Sequence, residues 1–155
     1  MARVRRRSEG GPHARDRRLE LPARPPAPGD RRDRRDARDQ PVELHPYFQQ
    51  RELRGVHEEL GIVTEAWSPL AQGAILEDEA ITDIAEAHGK TPGQVVIRWH
   101  LQLGNVVIPK SVTPKRIEEN FDVFDFELSS DEMSAIESLD RDQRIGPDPD
   151  EFELP

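Results

Sequence analysis

The stretch that decides the fold is VELHPYFQQRELRGVHEELGIVTEAWSP, residues 42–69. Its first four residues, Val42–His45, alternate in polarity as a strand does, and Pro46 ends them because proline lacks a ladder donor. Apolar side chains then recur at helical spacing as far as Gly61, a residue type common just past a helix end. The β-branched run Ile62–Trp67 predicts a second strand. A strand, a helix and a strand in this order indicate a parallel sheet.

The following residues continue the alternation of helices and strands. Glu79–His88 carries its apolar residues on one face and precedes Gly89, which predicts an amphipathic helix. The next helix opens with Thr91-Pro92-Gly93-Gln94, whose first and fourth residues can form a capping box and whose proline suits the first helical position. Its buried face is predicted to comprise Val95, Val96, Trp99 and Leu103. Asn105–Ile108 is predicted to be the third strand.

The C-terminal part of the sequence predicts two more helices and a loop. Thr113-Pro114 can cap and begin a short helix that runs through Asn120. The last helix is predicted to begin at a capping box of Ser129 and Glu132. Its apolar side consists of Met133, Ile136 and Leu139. Residues 141–155 hold three prolines and few apolar residues, which predicts a C-terminal loop.

Charge divides the 155 residues near residue 41. Residues 1–41 contain 13 Arg and seven acidic residues, a net charge of +6, whereas residues 42–155 contain nine basic and 24 acidic residues, a net charge of −15; together they give the −9 of the whole chain. Such a step indicates a boundary between a disordered Arg- and Pro-rich segment and a folded one. The acidic part argues against nucleic acid as a main partner.

Composition also excludes several classes of protein. The sequence has no cysteine, so disulfides, thiol catalysis and cysteine metal sites are excluded. It has no apolar run long enough to span a bilayer and no secretory apolar region near its N-terminus. We therefore expect a cytoplasmic protein with no membrane partner.

Three motifs in series carry a resemblance to a known family. Val42–Tyr47, Ala66–Leu70 and Ile108–Ser111 fall in the order and spacing found in the aldo-keto reductases, and residues 42–155 resemble most the bacterial diketogluconate-reductase-like branch. The resemblance implies an α/β fold, the last three strands of a (β/α)8 TIM barrel with their helices, preceded by an irregular N-terminal segment. It also implies NADPH as cofactor and reduction of a small-molecule carbonyl substrate to an alcohol.

The resemblance assigns cofactor-binding roles to residues in two loops. Trp67 would stack on the nicotinamide, and the pyrophosphate would lie against Ser68, Leu70 and Gln72. The adenosine 2′-phosphate would lie against Lys110, Ser111 and Arg116, with Val112 beside them and Glu119 and Asn120 on the adenine. These loops follow the last two strands, where barrels of this type commonly bind phosphate.

Each assignment has a plainer alternative. Trp67 also suits a core aromatic at a strand end. The bases after the third strand also suit a solvated helix face on which Glu118 and Glu119 offset them. Chemistry favours the phosphate interpretation, because Lys110, the hydroxyl of Ser111 and Arg116 beside a helix N-terminus supply charge-assisted donors.

No catalytic residue is predicted in this chain. The family's Asp, Tyr, Lys and His tetrad comes from the first four strands, and Tyr47, the one tyrosine here, lies outside it. The histidines show no metal-ligand spacing, so no metal is predicted. The resemblance therefore implies an NADPH-dependent oxidoreductase that is truncated and inactive as given, with self-association through the unclosed sheet. The alternative is a non-enzymatic remnant that binds a nucleotide or a partner.

Residues 1–41 are interpreted as a frameshift product. Read one nucleotide later, codons for Asp16–Leu21 can encode Ile-Gly-Val-Ser-Asn-Phe, a signature of the family's fifth strand, and those for Asp39–Pro41 can encode Thr-Asn-Gln. Both signatures lie at the family's spacing before Val42. The rival interpretation is an arginine-rich arm for nucleic acid, against which stand seven interspersed acids and no aromatic residue.

Overall fold

The computed structural model describes residues 39–147, with backbone only for Asp39 and Gln40. The predictions of a disordered N-terminal segment and of a frameshift concern residues that lie almost wholly outside this range. The elements, in chain order, are β1 Asp39–Glu43, α1 Arg51–Leu60, β2 Val63–Trp67, a 3-10 turn Ala71–Gly73, α2 Glu79–His88, α3 Pro92–Gln102, β3 Val106–Val107, α4 Pro114–Phe121 and α5 Ser130–Glu137.

The three strands form one parallel sheet in the order β1-β2-β3, which confirms the predicted parallel α/β arrangement. In register, Glu43 pairs with Trp67, and Ala66 pairs with Val107. The strand predicted over Val42–His45 instead runs from Asp39 to Glu43. His45 leaves the sheet because its backbone exchanges hydrogen bonds with Phe48 across a tight turn.

The two faces of the sheet have different coverage. Thr64 and Ala66 of β2 are buried under the helices, whereas Val63 and Trp67 point to the opposite face, which is open over much of its area. Val42 pairs with Ala66 in register and therefore also faces the helices. Leu44 is fully buried in the core, and strand alternation places Val42, Leu44 and Ile62 on the helix side.

The helix boundaries follow local signals in the sequence. Thr91 and Gln94 form the predicted capping box of α3, and Ser129 and Glu132 form that of α5. Thr113 precedes α4 as predicted, but its side chain makes no capping hydrogen bond. The core beneath the sheet includes Leu44, Ala66, Ile75, Ile81, Val95, Val96, Trp99 and Ile136, with Met133, Leu103 and Leu139 packed against it.

Candidate cofactor site

Trp67 lies at the carboxyl end of β2 on the open face of the sheet. Its side chain remains 37% exposed, so it is not a fully buried core aromatic. One edge of its ring lies against Gly146, where a Cβ would overlap Cη2 and stand 3.2 Å from Cζ3. The C-terminal segment therefore bounds the indole on one side.

The loop after β2 has an unusual backbone. Ser68, Ala71 and Gln72 all have positive φ, at 53°, 49° and 53°. The turn is held by hydrogen bonds from Ala71 N to Ser68 O at 2.9 Å and from Gly73 N to Leu70 O at 2.7 Å. Left-handed conformations in residues other than glycine are strained and concentrate at functional sites. The side chain of Leu70 is partly buried against the core, whereas Gln72 is exposed.

The segment after β3 and the first turn of α4 each present one cation. Lys110 and Arg116 are exposed, and neither makes an ion pair or side-chain hydrogen bond within residues 39–147. Ser111 is partly buried, and its hydroxyl reaches Thr113 O at a long 3.4 Å. Thr113 makes no side-chain hydrogen bond to the α4 N-terminus, so the first-turn backbone N–H groups have no capping acceptor among the described residues. Val112 is 87% exposed.

All but one of the other basic residues of the acidic part have a carboxylate or an aromatic ring as partner. Carboxylates lie within 4.0 Å of Arg51, Lys90, Arg98, Lys115 and Arg141. The guanidinium of Arg144 lies 4.8 Å from the ring centroid of Phe48. Among the described residues, only Arg54 is also without a carboxylate or ring partner, as Lys110 and Arg116 are. Arg54 is partly buried on α1 and lines a cavity of about 600 Å³ at the amino ends of β2 and β3.

The end of α4 closes the predicted adenine region. Ser111 and Asn120 line a cavity of about 280 Å³ between α3 and α4, together with Ile117 and Phe121. Glu119 is partly buried, and its carboxylate lies 3.6 Å from Lys115 Nζ on the same helix. The structure thus brings Ser111 and Asn120 to one cavity, while Glu119 is already turned to a lysine.

Glu43 is a residue of this site that the sequence analysis missed. Its carboxylate is 1% exposed and accepts hydrogen bonds from Ile145 N at 2.6 Å and Gly146 N at 2.8 Å. His45 Nε2 lies 3.1 Å from the same carboxylate. In an alternating strand a glutamate is typical of a solvent-facing position. No local signal identifies its burial, because its two backbone donors lie about 100 residues away in sequence.

The side chain of Tyr47 makes contacts that hold the fold together. Its hydroxyl donates to Asp78 Oδ2 at 2.7 Å, and Arg141 lies 4.1 Å from the centroid of its ring. Burial, followed by the hydrogen bond to Asp78, raises the pKa of Tyr47. A proton donor for carbonyl reduction needs the opposite shift, since transfer is most efficient when the pKa of the acid lies near the working pH.

The histidines pair with single neighbours. His57 Nδ1 lies 2.9 Å from Thr64 Oγ1, and His88 Nε2 lies 2.8 Å from Glu132 Oε1. Within the described part of the chain, no group of three or more His, Asp or Glu side chains is placed to hold a metal ion. No helix in residues 39–147 is both long and apolar enough to cross a bilayer.

Comparisons with known proteins agree with this architecture. Residues 39–141 match the sequence profile of the aldo/keto reductase family. The chain is 65% identical over 111 residues to an aldo-keto reductase of Mycolicibacterium smegmatis and 57% identical over 113 residues to the methylglyoxal reductase DkgA of Escherichia coli K12, covering 72% of this chain in both cases. It spans only about 40% of the length of these relatives.

Solved structures give the same result. A mutant of Gox0644 in complex with NADPH superposes with a TM-score of 0.73 at 57% identity, over 75% of this chain and 43% of that one. An aldo/keto reductase from Brucella melitensis gives 0.63 at 54% identity, over 66% of this chain and 39% of that one. The α/β sheet and its helices therefore correspond to part of a (β/α)8 barrel, and the chain belongs to the aldo/keto reductase family.

Proposed function

We propose that this chain is the NADPH-binding part of an aldo-keto reductase and does not reduce carbonyls by itself. The observation that carries the proposal is the unpaired state of Lys110 and Arg116 in a segment where five other cations are paired with carboxylates. An acidic protein offers many counter-ions, so two cations left without one are available to an external anion. A 2′-phosphate supplies that anion, and its oxygens accept charge-assisted hydrogen bonds.

The remaining contacts follow the geometry of the strand ends. The nicotinamide stacks on the exposed indole of Trp67, and the pyrophosphate runs along the strained turn of Ser68, Leu70 and Gln72. The ribose phosphate lies between Lys110, Ser111 and the first turn of α4, with Val112 alongside. The adenine occupies the cavity beside Asn120, where Glu119 can exchange Lys115 for an adenine amino group. The NADPH complex of the similar Gox0644 supports this choice of cofactor.

The reduction itself requires groups that residues 39–147 do not supply. Hydride transfer to a carbonyl needs a proton donor beside the substrate oxygen. Tyr47 cannot take that part, because its hydroxyl is committed to Asp78 and its pKa is raised. The substrate class of the parent activity is a small carbonyl compound, as the name methylglyoxal reductase of a similar protein suggests.

Cofactor titration tests the binding part of the proposal. The full chain is titrated with NADPH and with NADH while Trp67 fluorescence is followed, and NADPH binds more tightly. Lys110→Ala and Arg116→Ala each weaken NADPH by about ten- to hundredfold, because a charge-assisted hydrogen bond contributes roughly 1.5–3 kcal/mol. Both variants leave NADH unchanged. The control is Arg51→Ala on α1, which removes an exposed cation already paired with carboxylates and retains NADPH affinity. Equal affinity of the wild type for the two cofactors contradicts the 2′-phosphate assignment.

Turnover tests the second part. We expect no NADPH oxidation above background when the purified chain is mixed with methylglyoxal or another small aldehyde. Steady turnover at about 1 per second, within the ordinary range of enzymes, contradicts the proposal.

The partner-binding alternative rests on the open face of the sheet. Four apolar side chains there are at least partly uncovered: Val63, Trp67, Val106 and Ile108, at 43%, 37%, 44% and 60% exposure. Such a surface, with β1 and β3 at the two edges of the described sheet, favours self-association. Sedimentation of the chain over a range of concentrations tests it. Ile108→Lys shifts the protein towards monomer, and a wild type that stays monomeric throughout contradicts it.

A further inference from the structure

The open face of the sheet contains one position that is fully covered. Val63 and Trp67 are exposed on this face, yet Glu43, which pairs with Trp67 in register, is 1% exposed. An acidic side chain is the least expected residue at such a position, because burying a carboxylate without partners is costly. The cover is supplied by residues 144–146, about 100 residues further along the chain.

The contacts of Glu43 form a clamp. Its two carboxylate oxygens accept separate hydrogen bonds from adjacent backbone N–H groups, Ile145 N on Oε1 at 2.6 Å and Gly146 N on Oε2 at 2.8 Å. Two donors from consecutive residues fix the orientation of that peptide as well as its position. The Glu43 backbone is held in turn, since the Gln50 side-chain amide donates to its carbonyl oxygen.

Other contacts hold residues 141–144 near Glu43, but they do not involve the backbone N–H groups of Ile145 and Gly146. Arg141 N and Gln143 N both donate to Tyr47 O, at 3.1 and 3.0 Å. The guanidinium of Arg144 lies over the ring of Phe48. Beyond these anchors, the backbone N–H groups of Ile145 and Gly146 donate to the Glu43 carboxylate.

The clamped peptide presses on Trp67. A Cβ on Gly146 would overlap Trp67 Cη2 and would stand 2.8 Å from Glu43 Oε2, so glycine is the residue that allows the approach. Gly146 has no positive φ, and its requirement is therefore space and not backbone conformation. The indole edge, the glycine and the carboxylate form one packed unit.

We infer that Glu43 is a positioning residue, whose carboxylate holds the Ile145–Gly146 peptide against the edge of Trp67 and thereby fixes the orientation of the indole and the wall beside it. The clamp itself is independent of ligand. Its consequence for cofactor affinity rests on the proposed function, because it requires Trp67 to carry the nicotinamide.

The first readout needs no cofactor. In Glu43→Gln an amide NH₂ replaces one carboxylate oxygen. This donor then faces a backbone N–H donor, so one of the two hydrogen bonds is lost and the Ile145–Gly146 peptide is released. Acrylamide quenching of Trp67 then increases, measured against a Trp67→Phe sample that reports the buried Trp99 alone. The control is Glu65→Gln, a partly buried acid on the same face with no side-chain partner in the described range, and its quenching equals that of the wild type. Unchanged quenching in a folded Glu43→Gln overturns the inference.

A second variant keeps the test decisive if Glu43→Gln fails to fold. Gly146→Ala retains the carboxylate and both N–H donors but forces the peptide off the indole. It raises Trp67 quenching while the far-ultraviolet circular dichroism stays that of the wild type. Quenching at the wild-type level in this variant overturns the inference.

Cofactor binding supplies the second readout. Each variant weakens NADPH and NADH by an equal factor, because both displace the wall beside the nicotinamide and the 2′-phosphate lies elsewhere. In Glu43→Gln the factor is about tenfold, the order expected for the loss of one charged hydrogen bond. A loss confined to NADPH contradicts the role of the clamp. If the wild type binds neither cofactor, the proposed function fails, while the quenching result still decides on the clamp.

Discussion

Acidification destabilises this fold through a buried histidine. His100 on α3 is fully buried, and its Nε2 has no hydrogen-bond partner within the described residues. Burial lowers the pKa of His100 from its ordinary 6.5 to about 3. Below pH 6.5 the imidazole of His100 is therefore protonated in the unfolded chain but stays neutral in the folded chain. Stability from this group is complete above that pH and declines as the pH falls towards about 3.

The size of the effect follows from the shift. Each pH unit between the two pKa values costs about 1.4 kcal/mol, so at pH 5.0 His100 removes roughly 2 kcal/mol of the free energy of unfolding. His45 acts in the same direction, because burial lowers its pKa despite the opposing hydrogen bond to Glu43. The carboxyls of Asp125 and Glu132, whose pKa values are also lowered, act at lower pH.

Urea denaturation at pH 7.5, 6.0 and 5.0 measures the effect. The wild type loses roughly 2 kcal/mol or more between the first and last of these conditions, whereas His100→Gln, which cannot titrate, loses about that much less. The comparison uses the change with pH in each protein, so any loss of packing in the variant cancels. Identical pH dependence in the two proteins, with both still unfolding cooperatively, would refute the reasoning.

The remaining predictions concern stability at neutral pH and use the same urea assay. Gly89→Ala lowers the free energy of unfolding by about 1 kcal/mol, because φ of Gly89 is +63° and alanine is strained there. Gly55→Ala, inside α1, raises it by up to about 1 kcal/mol. Equal effects of the two substitutions would contradict the left-handed conformation of Gly89. Thr91→Ala and Ser129→Ala each lower the free energy of unfolding by about 1 kcal/mol, because each removes a helix cap. Thr113→Ala changes it by no more than about 0.5 kcal/mol. A larger loss at Thr113 would mean that its side chain caps α4 in solution.

Helix ends were predictable because their signals are local. Gly61 and Gly89 adopt the left-handed conformation that closes α1 and α2, and both helices end where the sequence indicated. The capping boxes at Thr91 and Ser129 need only residues three positions apart. Thr113 carries the same signal and does not cap, because residue type alone does not determine the rotamer of its hydroxyl.

The alternating pattern of β1 does not predict which of its side chains point towards the helices. Alternation divides a strand into two sets of residues, but only packing decides which set lies under the helices. Glu43 shows why polarity misleads: a polar residue on the sheet face is buried by residues 144–146, and Leu44 beside it belongs to the helix-side core. Contacts across about 100 residues leave no mark in a ten-residue window.

The motifs predict which residues form the candidate cofactor site, but only the structure shows which charges near it are already paired. Residues 42–155 carry a net charge of −15, and NADPH is itself an anion, so the mean field of this part opposes binding. At physiological ionic strength that field is screened over about 8 Å, whereas groups in contact with the phosphate are hardly screened. Binding then depends on the few cations that are not already neutralised. A count of basic residues cannot find them, because most of the cations here are held by nearby carboxylates or rings; Lys110 and Arg116 stand out only once those partners are known.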